Sequence, residues 1–256
     1  PMSARRQRQM CIRDRDYELN PATKLAKELL GQRKFNNTLI GDPLILSKNQ
    51  FAKNQLFMIL SGNSYNHINN YLIQNKGFIK EQFDNNFFEK QTKYFLENER
   101  QEELELKLSS NYDWTMKIPW GWELIKNESD KSFFWIGQEL PFRWIAVHWR
   151  EGNFFSREDA LEYVQDFPQN YFESIRYNPD FLQIEFEDFN SESAYRIFGL
   201  WESIEDAKGG PFQGYLFYDY ENDRTFYISY IVFNPGGKKA FYLRQMEMIA
   251  KTINIK

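Results

Sequence analysis

The sequence predicts an α+β protein. Its C-terminal part is expected to be mainly an antiparallel sheet with packed helices, preceded by a smaller helix-rich α/β unit. Three observations support this class. Apolar residues recur every three to four positions before residue 108, and they alternate with polar residues from residue 111 onward. Turn-rich segments join the alternating runs, which favours antiparallel neighbours. Two helical patterns in the same region can cover the faces of the sheet.

Residues 16–110 are expected to form an incomplete N-terminal α/β unit. Gly31 follows a helical pattern in which Leu25 and Leu29 share a face, so it predicts the end of a first helix. Short continuous apolar runs suit buried strands, and later three-to-four spacing suits further helices. The expected elements are a helix over 17–30, apolar segments at 44–46 and 56–60, two helices after residue 64, and a solvated charged helix face over 97–107.

Residues 111–256 are expected to form a C-terminal α+β domain, in the order three strands, helix, four strands, helix. The expected strands are 114–118, 133–136, 142–149, 182–186, 195–201, 212–220 and 225–233. The first of these helices should begin at Ser156, because Asp159 stands three residues later in a variant of the capping box. A hairpin is expected around residues 221–224. The break at 234–237 precedes the last helix.

The first fifteen residues differ in composition from the rest, with five arginines and one aspartate. Three interpretations are open: a basic arm for nucleic acid or anionic lipid, an Arg-rich transit peptide, and a non-native leader. The string Arg-Gln-Arg-Gln-Met-Cys-Ile-Arg-Asp resembles translated adapter read-through, which favours the third. Residues 1–15 are therefore excluded from the fold prediction.

The composition argues against several classes of protein. There are 32 Lys and Arg residues against 36 Asp and Glu, a formal charge of −4. A general nucleic-acid binder is not expected, because such domains usually carry a basic patch. One Cys and two His leave little material for a disulfide framework or a zinc site, so we expect no metal and no cofactor. No segment approaches the roughly 18 apolar residues that a membrane span needs.

Several stretches resemble the uncharacterised bacterial family called domain of unknown function 4837. The first is Phe198-Gly199-Leu200-Trp201-Glu202, followed by Lys208-Gly209-Gly210-Pro211-Phe212. The second is Tyr230-Ile231-Val232-Phe233-Asn234-Pro235, with Leu243-Arg244-Gln245-Met246-Glu247 after it. The third is Phe51-Ala52-Lys53-Asn54-Gln55-Leu56, where the family usually has tryptophan at the first position. The strand end Ile118-Pro119-Trp120-Gly121-Trp122 is also similar, so the resemblance covers roughly 35–256.

The resemblance implies a location, since members of this family are mostly envelope lipoproteins, but it implies no chemistry. The start of the family domain and its lipid-attachment Cys have no match here, and Cys11 is not preceded by a hydrophobic segment. We therefore expect a periplasmic-side envelope protein, lipid-anchored when full length. Its partner would be an unknown envelope protein or glycan. The element order is also similar to the sheet-and-helix topology of the PsbP and Mog1 proteins, which carries no function by itself.

Trp120 and Trp122 are the first binding candidates. Six of the seven tryptophans lie between residues 114 and 149. Trp120 and Trp122 flank Gly121 where the chain leaves a predicted strand, so they are expected to be exposed. They would form an aromatic platform for a sugar, a peptide or a lipid headgroup. The alternative is sheet core, which better suits the remaining tryptophans.

A second set of candidates comes from the resembling stretches. Glycine permits close approach of backbone to a ligand, although a turn that enters a strand explains the same residues. Arg244-Gln245, together with Trp201-Glu202, would make either a polar site or a structural ion pair, because a guanidinium held by a carboxylate near an aromatic is common in both. The complete binding hypothesis comprises Trp120, Trp122, Trp201, Gly209, Gly210, Pro211 and Arg244.

Paired carboxylates leave a hydrolase as the alternative, acting on an envelope glycan. Glycoside hydrolysis needs two acids that flank the sugar at a defined separation. His148 is more typical of a structural histidine, and no Gly-x-Ser-x-Gly motif is present. A non-enzymatic binding or scaffold domain is the favoured interpretation, and no catalytic residue is assigned. The carboxylates in question are Glu185, Glu187, Asp188 and Glu192.

Overall fold

The computed structural model describes residues 21–256, which fall into two compact units that divide between Lys90 and Gln91. The division lies inside the helix Lys76–Phe95. The predictions made for residues 1–15, including the non-native leader and Cys11, fall outside the described residues.

The first unit is helix-rich and contains one antiparallel hairpin. Helix α1 (Pro21–Ile40) breaks at Gly31, whose φ of 72° and ψ of 156° favour glycine. The predicted stop at Gly31 is therefore a break, and helix resumes after it. Strand β2 of this hairpin is half-buried along its whole length, so the expectation of a buried strand at 56–60 is wrong. The other elements are β1 (Leu44–Lys48), β2 (Leu56–Leu60), α2 (Tyr65–Gln74) and α3 (Lys76–Phe95).

The second unit contains an eight-stranded antiparallel sheet with helices on both faces, which confirms the predicted fold class. Its elements are α4 (Glu102–Tyr112), β3 (Trp114–Thr115), β4 (Glu123–Glu128), β5 (Phe133–Gln138), β6 (Phe142–Glu151), α5 (Arg157–Tyr171), β7 (Ile175–Tyr177), β8 (Gln183–Phe189), β9 (Glu192–Ser203), β10 (Gly209–Asp219), β11 (Arg224–Phe233), α6 (Ala240–Ala250) and β12 (Asn254–Ile255). The strand order is β4-β5-β6-β11-β10-β9-β7, and β8 pairs with β9 beside β7.

Three details of the predicted strand order are wrong. The strand expected at 114–118 contributes only β3, which pairs with β12 outside the large sheet. Strands β4 and β7 were not predicted. In β4 a bulge between Leu124 and Lys126 interrupts the alternation, and β7 is only three residues long. Both are edge strands, which bury little surface and so carry a weak alternating pattern.

The core of the second unit lies on both faces of the sheet. Along β11, Tyr227 and Ile231 point to the face that α5 covers, and Phe226 and Ile228 point to the opposite face. Helix α6 packs against β11 and β6 on that opposite face. The central strands β6 and β11 are therefore buried along most of their length. A pattern in which apolar and polar residues alternate does not describe such strands, because both of their faces are covered.

The register of the sheet places four loops at one end. Glu123 pairs with Gly137 and Phe142 with Phe233, while Gly209 pairs with Glu202. The chain therefore enters β4, β6 and β10 and leaves β5, β9 and β11 at the same end. We call this the loop end. It comprises residues 119–122, 139–141, 204–208 and 234–239.

Candidate functional site

Six of the seven residues of the sequence-based binding hypothesis lie in the loops of the loop end or in the strand ends next to them, and Arg244 lies in the second turn of α6. They form two groups, because β4 and β9 are five strands apart in the sheet. At about 4.8 Å per strand, that separation is about 24 Å. One group surrounds Trp120 and Trp122, and the other surrounds Trp201 and Gly210.

In the second group the indole of Trp201 crosses strand β10. Trp201 is 5% exposed, and its Nε1 donates a hydrogen bond of 3.1 Å to the Val232 carbonyl on β11. A Cβ at Gly210 would lie 2.2 Å from that carbonyl oxygen and 3.1 Å from Trp201 Nε1. At Gly210, the groups that come close to the backbone are therefore the Val232 carbonyl and the Trp201 indole of the protein itself.

The neighbouring residues of the same motif also pack closely. A Cβ at Gly209 would lie 2.7 Å from the Trp201 carbonyl oxygen, and one at Gly199 would lie 2.9 Å from the Phe181 carbonyl oxygen. Phe212 stacks on Tyr177 with ring centroids 3.7 Å apart and an angle of 7° between the rings. Pro211 pairs with Leu200 in the sheet. The motif thus has a packing role, and ligand binding there stays a prediction.

The first group separates its two tryptophans. Trp120 is 70% exposed, whereas Trp122 is 2% exposed, so the expectation that both are exposed is wrong for Trp122. Gly121 adopts a φ of 80°, which turns the chain between them. The Trp122 carbonyl accepts a hydrogen bond of 3.0 Å from Gln101 Nε2, and its ring faces the guanidinium of Arg143.

Arg143 is the residue of this region that the sequence did not indicate. It is 8% exposed, and its guanidinium carbon lies 5.7 Å from the centroid of Trp122 and 5.1 Å from that of Tyr242. Nη1 donates to Gln245 Oε1 at 3.3 Å, and Nη2 donates to Gln138 Oε1. In the sequence Arg143 occupies a polar position of an alternating pattern, although β6 is buried along most of its length, so the sequence does not indicate its role.

The charge of Arg143 has no carboxylate partner within residues 21–256. Burial lowers the pKa of Arg143, and the nearby Tyr242 opposes this effect. Cation–π contacts and amide oxygens therefore compensate the buried charge. Because the partners come from the β5–β6 hairpin, the 119–122 loop and α6, Arg143 connects three elements at the loop end.

Exposed apolar side chains lie in the loops and strand end next to this group. Leu140 is 89% exposed in the β5–β6 turn, and Phe142 is 42% exposed at the start of β6. A Cβ at Gly121 would lie 3.0 Å from Gln138 Nε2, so the loop that carries Trp120 lies beside this hairpin. We call Trp120, Leu140 and Phe142 the apolar patch. Exposed apolar groups of this kind mark interaction surfaces.

Arg244 lies half-buried on α6, next to Gln245. The sequence offered Glu202 as a partner for a site or an ion pair in this region. In the structure Glu202 Oε1 accepts a hydrogen bond of 2.7 Å from Arg176 Nε. Gln245 instead reaches Arg143, and its Nε2 donates to Gln91 Oε1 at 2.8 Å.

The carboxylates of the hydrolase alternative lie away from the loop end. Glu187 and Glu247 both lie 3.1 Å from the Tyr215 hydroxyl, in the middle of the α6-side face. Glu187 also pairs with Arg196 at 3.7 Å, and Glu247 with Lys251 at 3.0 Å. These contacts give the carboxylates of Glu187 and Glu247 a structural role.

Buried titratable groups elsewhere have structural partners. His148 forms a hydrogen bond with the Tyr163 hydroxyl in the core under α5. Burial lowers the pKa of His148 to about 4, the charge of Arg150 adds to this effect, and a hydrogen bond to the Lys131 backbone opposes it. In the described part of the chain, no group of three or more His, Cys, Asp or Glu residues is placed to hold a metal ion. None of the helices within 21–256 has the length and apolar character that crossing a membrane requires.

Comparison with solved structures gives distant likenesses. A protein of Bacteroides thetaiotaomicron VPI-5482 is 11% identical with a TM-score of 0.38, over 57% of this chain and 46% of its own. This chain thus spans about half the length of that protein. The Ran-binding protein Mog1p of Saccharomyces cerevisiae is 12% identical with a TM-score of 0.39, over 56% of this chain and 90% of its own.

LpqN of Mycobacterium tuberculosis, which is involved in cell envelope biogenesis, is 11% identical with a TM-score of 0.37, over 56% of this chain and 82% of its own. Likenesses at this level carry no function. No curated protein matches the chain.

The family comparison covers most of the second unit. The family described as Domain of unknown function (DUF4837) matches residues 100–252, which is more than half of the chain. The match includes the loop end and both of its residue groups, and it begins after the resembling segment 51–56. The chain therefore belongs to the DUF4837 family.

Proposed function

We propose that the second unit is a non-enzymatic binding or scaffold domain of the cell envelope, and that its partner binds at the loop end. Trp120 is the anchor of this interaction, and the partner is an envelope protein or an envelope glycan. The full-length protein is held on the periplasmic side by a lipid. The location and the lipid follow from the family resemblance.

The observation that carries the proposal is the exposure of the apolar patch. Trp120 and Leu140 are 70% and 89% exposed, whereas Trp114, Trp122, Trp149 and Trp201 are buried. An exposed tryptophan is costly to leave in water and is a frequent centre of binding energy. Beneath it, the Arg143 cluster holds the 119–122 loop in place, which reduces the entropy lost on binding.

The test compares two aromatic residues of equal exposure. Trp120 and Tyr220 are both 70% exposed, but Tyr220 lies in the β10–β11 turn at the opposite end of the sheet. Purified Trp120→Ser and Tyr220→Ser proteins are titrated against isolated bacterial peptidoglycan and against solubilised envelope proteins. We expect Trp120→Ser to weaken binding by about 30-fold, which corresponds to a loss of about 2 kcal/mol.

The control variant should bind within about twofold of the parent protein. Both substitutions should leave the free energy of unfolding within about 0.5 kcal/mol, because both side chains are exposed. Equal effects of the two substitutions would contradict the proposed position of the interface. Failure of the parent protein to bind either envelope fraction would contradict the binding function.

The lipid attachment has a separate test. Bacteria that express the full-length gene are grown with labelled palmitate, and the protein is then purified. We expect label on the protein and its recovery with the envelope fraction. An unlabelled protein in the cytoplasmic fraction would overturn the proposed location.

A further inference from the structure

Strand β8 forms part of an edge of the large sheet. It pairs with β9 from Gln183 opposite Phe198 to Phe189 opposite Glu192, without a register shift. No other strand of residues 21–256 pairs with its outer side. An unpaired strand edge presents backbone N–H and C=O groups to a further strand.

One face of this edge is aromatic. Phe186 is 63% exposed, and its ring centroid lies 5.4 Å from that of Tyr195 and 6.4 Å from that of Phe155. The ring centroids of Phe155 and Tyr195 are 5.1 Å apart. Ile184 is half-buried on the same face of β8. This face can therefore cover apolar side chains of an added strand.

The charged side chains of strand β8 are all negative. Strand β8 has three carboxylates, Glu185, Glu187 and Asp188, and no Lys or Arg. Arg196 on the neighbouring strand is paired with Glu187 at 3.7 Å, whereas Glu185 and Asp188 are exposed. By alternation Glu185 points away from Ile184 and Phe186, whereas Asp188 lies beyond Phe186 on the aromatic face.

We propose that β8 binds an extended segment of a partner protein as an added antiparallel or parallel strand, in which Lys or Arg alternates with apolar or aromatic residues. Its apolar side chains lie over Ile184 and Phe186, and its basic side chains lie over Glu185. Directly opposite residues of paired strands are about 5 Å apart, close enough for both contacts. Backbone hydrogen bonds supply affinity, and the alternating side chains supply specificity.

In the register centred on Phe186, the charges also disfavour a second copy of this chain as the occupant. Antiparallel pairing of two β8 strands about Phe186 would place Glu185 opposite Glu187 of the other copy, and like charges directly opposite are destabilising. The opposite edge of the sheet is different, because β4 has a bulge and both Lys126 and Glu128. Such features block added strands of any charge.

The test uses three peptides of equal length, two of which share one composition. A labelled eight-residue peptide that alternates Lys with Val and Tyr is compared with a peptide of the same residues in blocks, and with one that carries Glu for Lys. Fluorescence anisotropy measures the affinity of the 256-residue protein for each. We expect the alternating peptide to bind at least about tenfold more tightly than either comparison peptide.

Two pairs of variants locate the site. Glu185→Lys should weaken the alternating peptide about tenfold, whereas Glu151→Lys, the same charge change at an exposed position at the end of β6, should have less than a twofold effect. Phe186→Ser should weaken it about fivefold, and Tyr220→Ser should not. Equal effects within either pair would overturn the site.

A backbone measurement separates strand addition from simple charge attraction. Hydrogen exchange is measured with and without the alternating peptide. Outward-facing amides of β8 should exchange at least about tenfold more slowly in the complex, and those of β4 should not change. Binding without protection of β8, equal binding of the block peptide, or no binding of the alternating peptide would each overturn the proposal.

Discussion

Gly210 shows how a single residue of a family motif acquires its role. Its φ does not lie in the left-handed region, so backbone conformation does not require glycine there. The requirement comes from contact, since the Val232 carbonyl and the Trp201 indole occupy the space of a side chain. The sequence identified the Gly209-Gly210-Pro211-Phe212 motif and left two interpretations open, a close approach to a ligand and a turn that enters a strand. The structure provides a packing reason for the glycine.

We expect Gly210→Ala to lower the free energy of unfolding by about 2 kcal/mol, within the usual range for overpacking. The added Cβ would meet backbone at 2.2 Å, which a side-chain rotation cannot relieve. Chemical denaturation measures the change. Gly77→Ala is the matched control, because no atom lies within 4 Å of the added Cβ in helix α3.

The control should be neutral, or stabilising by up to about 1 kcal/mol, since alanine favours helix over glycine. If Gly210→Ala were as stable as the parent protein, strand β10 would have room for a side chain. That result would remove the packing explanation of the motif and favour a ligand in its place.

At the scale of elements, local signals predicted helices better than they predicted edge strands. Ser156 accepts from Asp159 N, and Asp159 accepts from Ser156 N, so the predicted capping box begins helix α5. That signal is complete within four residues. Strand β4 has no comparable signal, because its bulge and exposed residues remove the alternation.

Arg143 connects elements that are distant in sequence, and its planar guanidinium is the reason. We expect Arg143→Lys to cost about 2 kcal/mol of unfolding free energy, although the charge is kept. Lysine has neither the flat surface that stacks between Trp122 and Tyr242 nor the fork that reaches two amide oxygens. Thermal and chemical unfolding measure the loss.

Arg176→Lys is the matched control for that substitution. Arg176 pairs with Glu202 at the surface, with 59% of its side chain exposed, so its replacement should change stability by less than about 0.5 kcal/mol. Equal costs for the two substitutions would show that Arg143 contributes only a charge.

At the scale of the whole molecule, His148 makes stability depend on pH. Its pKa is about 4 in the folded protein and about 6.5 when unfolded. Between these values the unfolded chain binds more protons, so stability rises with pH. The contribution is complete above about pH 6.5 and is lost as the pH falls toward 4. From pH 7.5 to 5.0 it amounts to about 2 kcal/mol.

The measurement compares the parent protein with His148→Gln by chemical denaturation at both pH values. The variant should lose about 2 kcal/mol less than the parent on acidification, because its side chain does not titrate. Circular dichroism at pH 7.5 checks that the variant is folded. The same loss in both proteins would mean that other groups account for the pH dependence.

The sequence by itself determined the fold class, the family and the approximate positions of β5, β6, α5, α6 and β8 to β11. These depend on periodicity, turn chemistry and contiguous motifs, which are local properties of the chain. It also singled out candidate residues, and the strand register then placed most of them at one end of the sheet.

Only the tertiary structure decided which of these residues are exposed and what they contact. Trp120 and Trp122 are two residues apart and have the same flanking glycine, yet one is exposed and the other lies under Arg143. Trp201 and Val232 are 31 residues apart, and Arg143 and Gln245 are 102 apart. Strand register brings such residues together, and register depends on the packing of the whole sheet rather than on any local pattern.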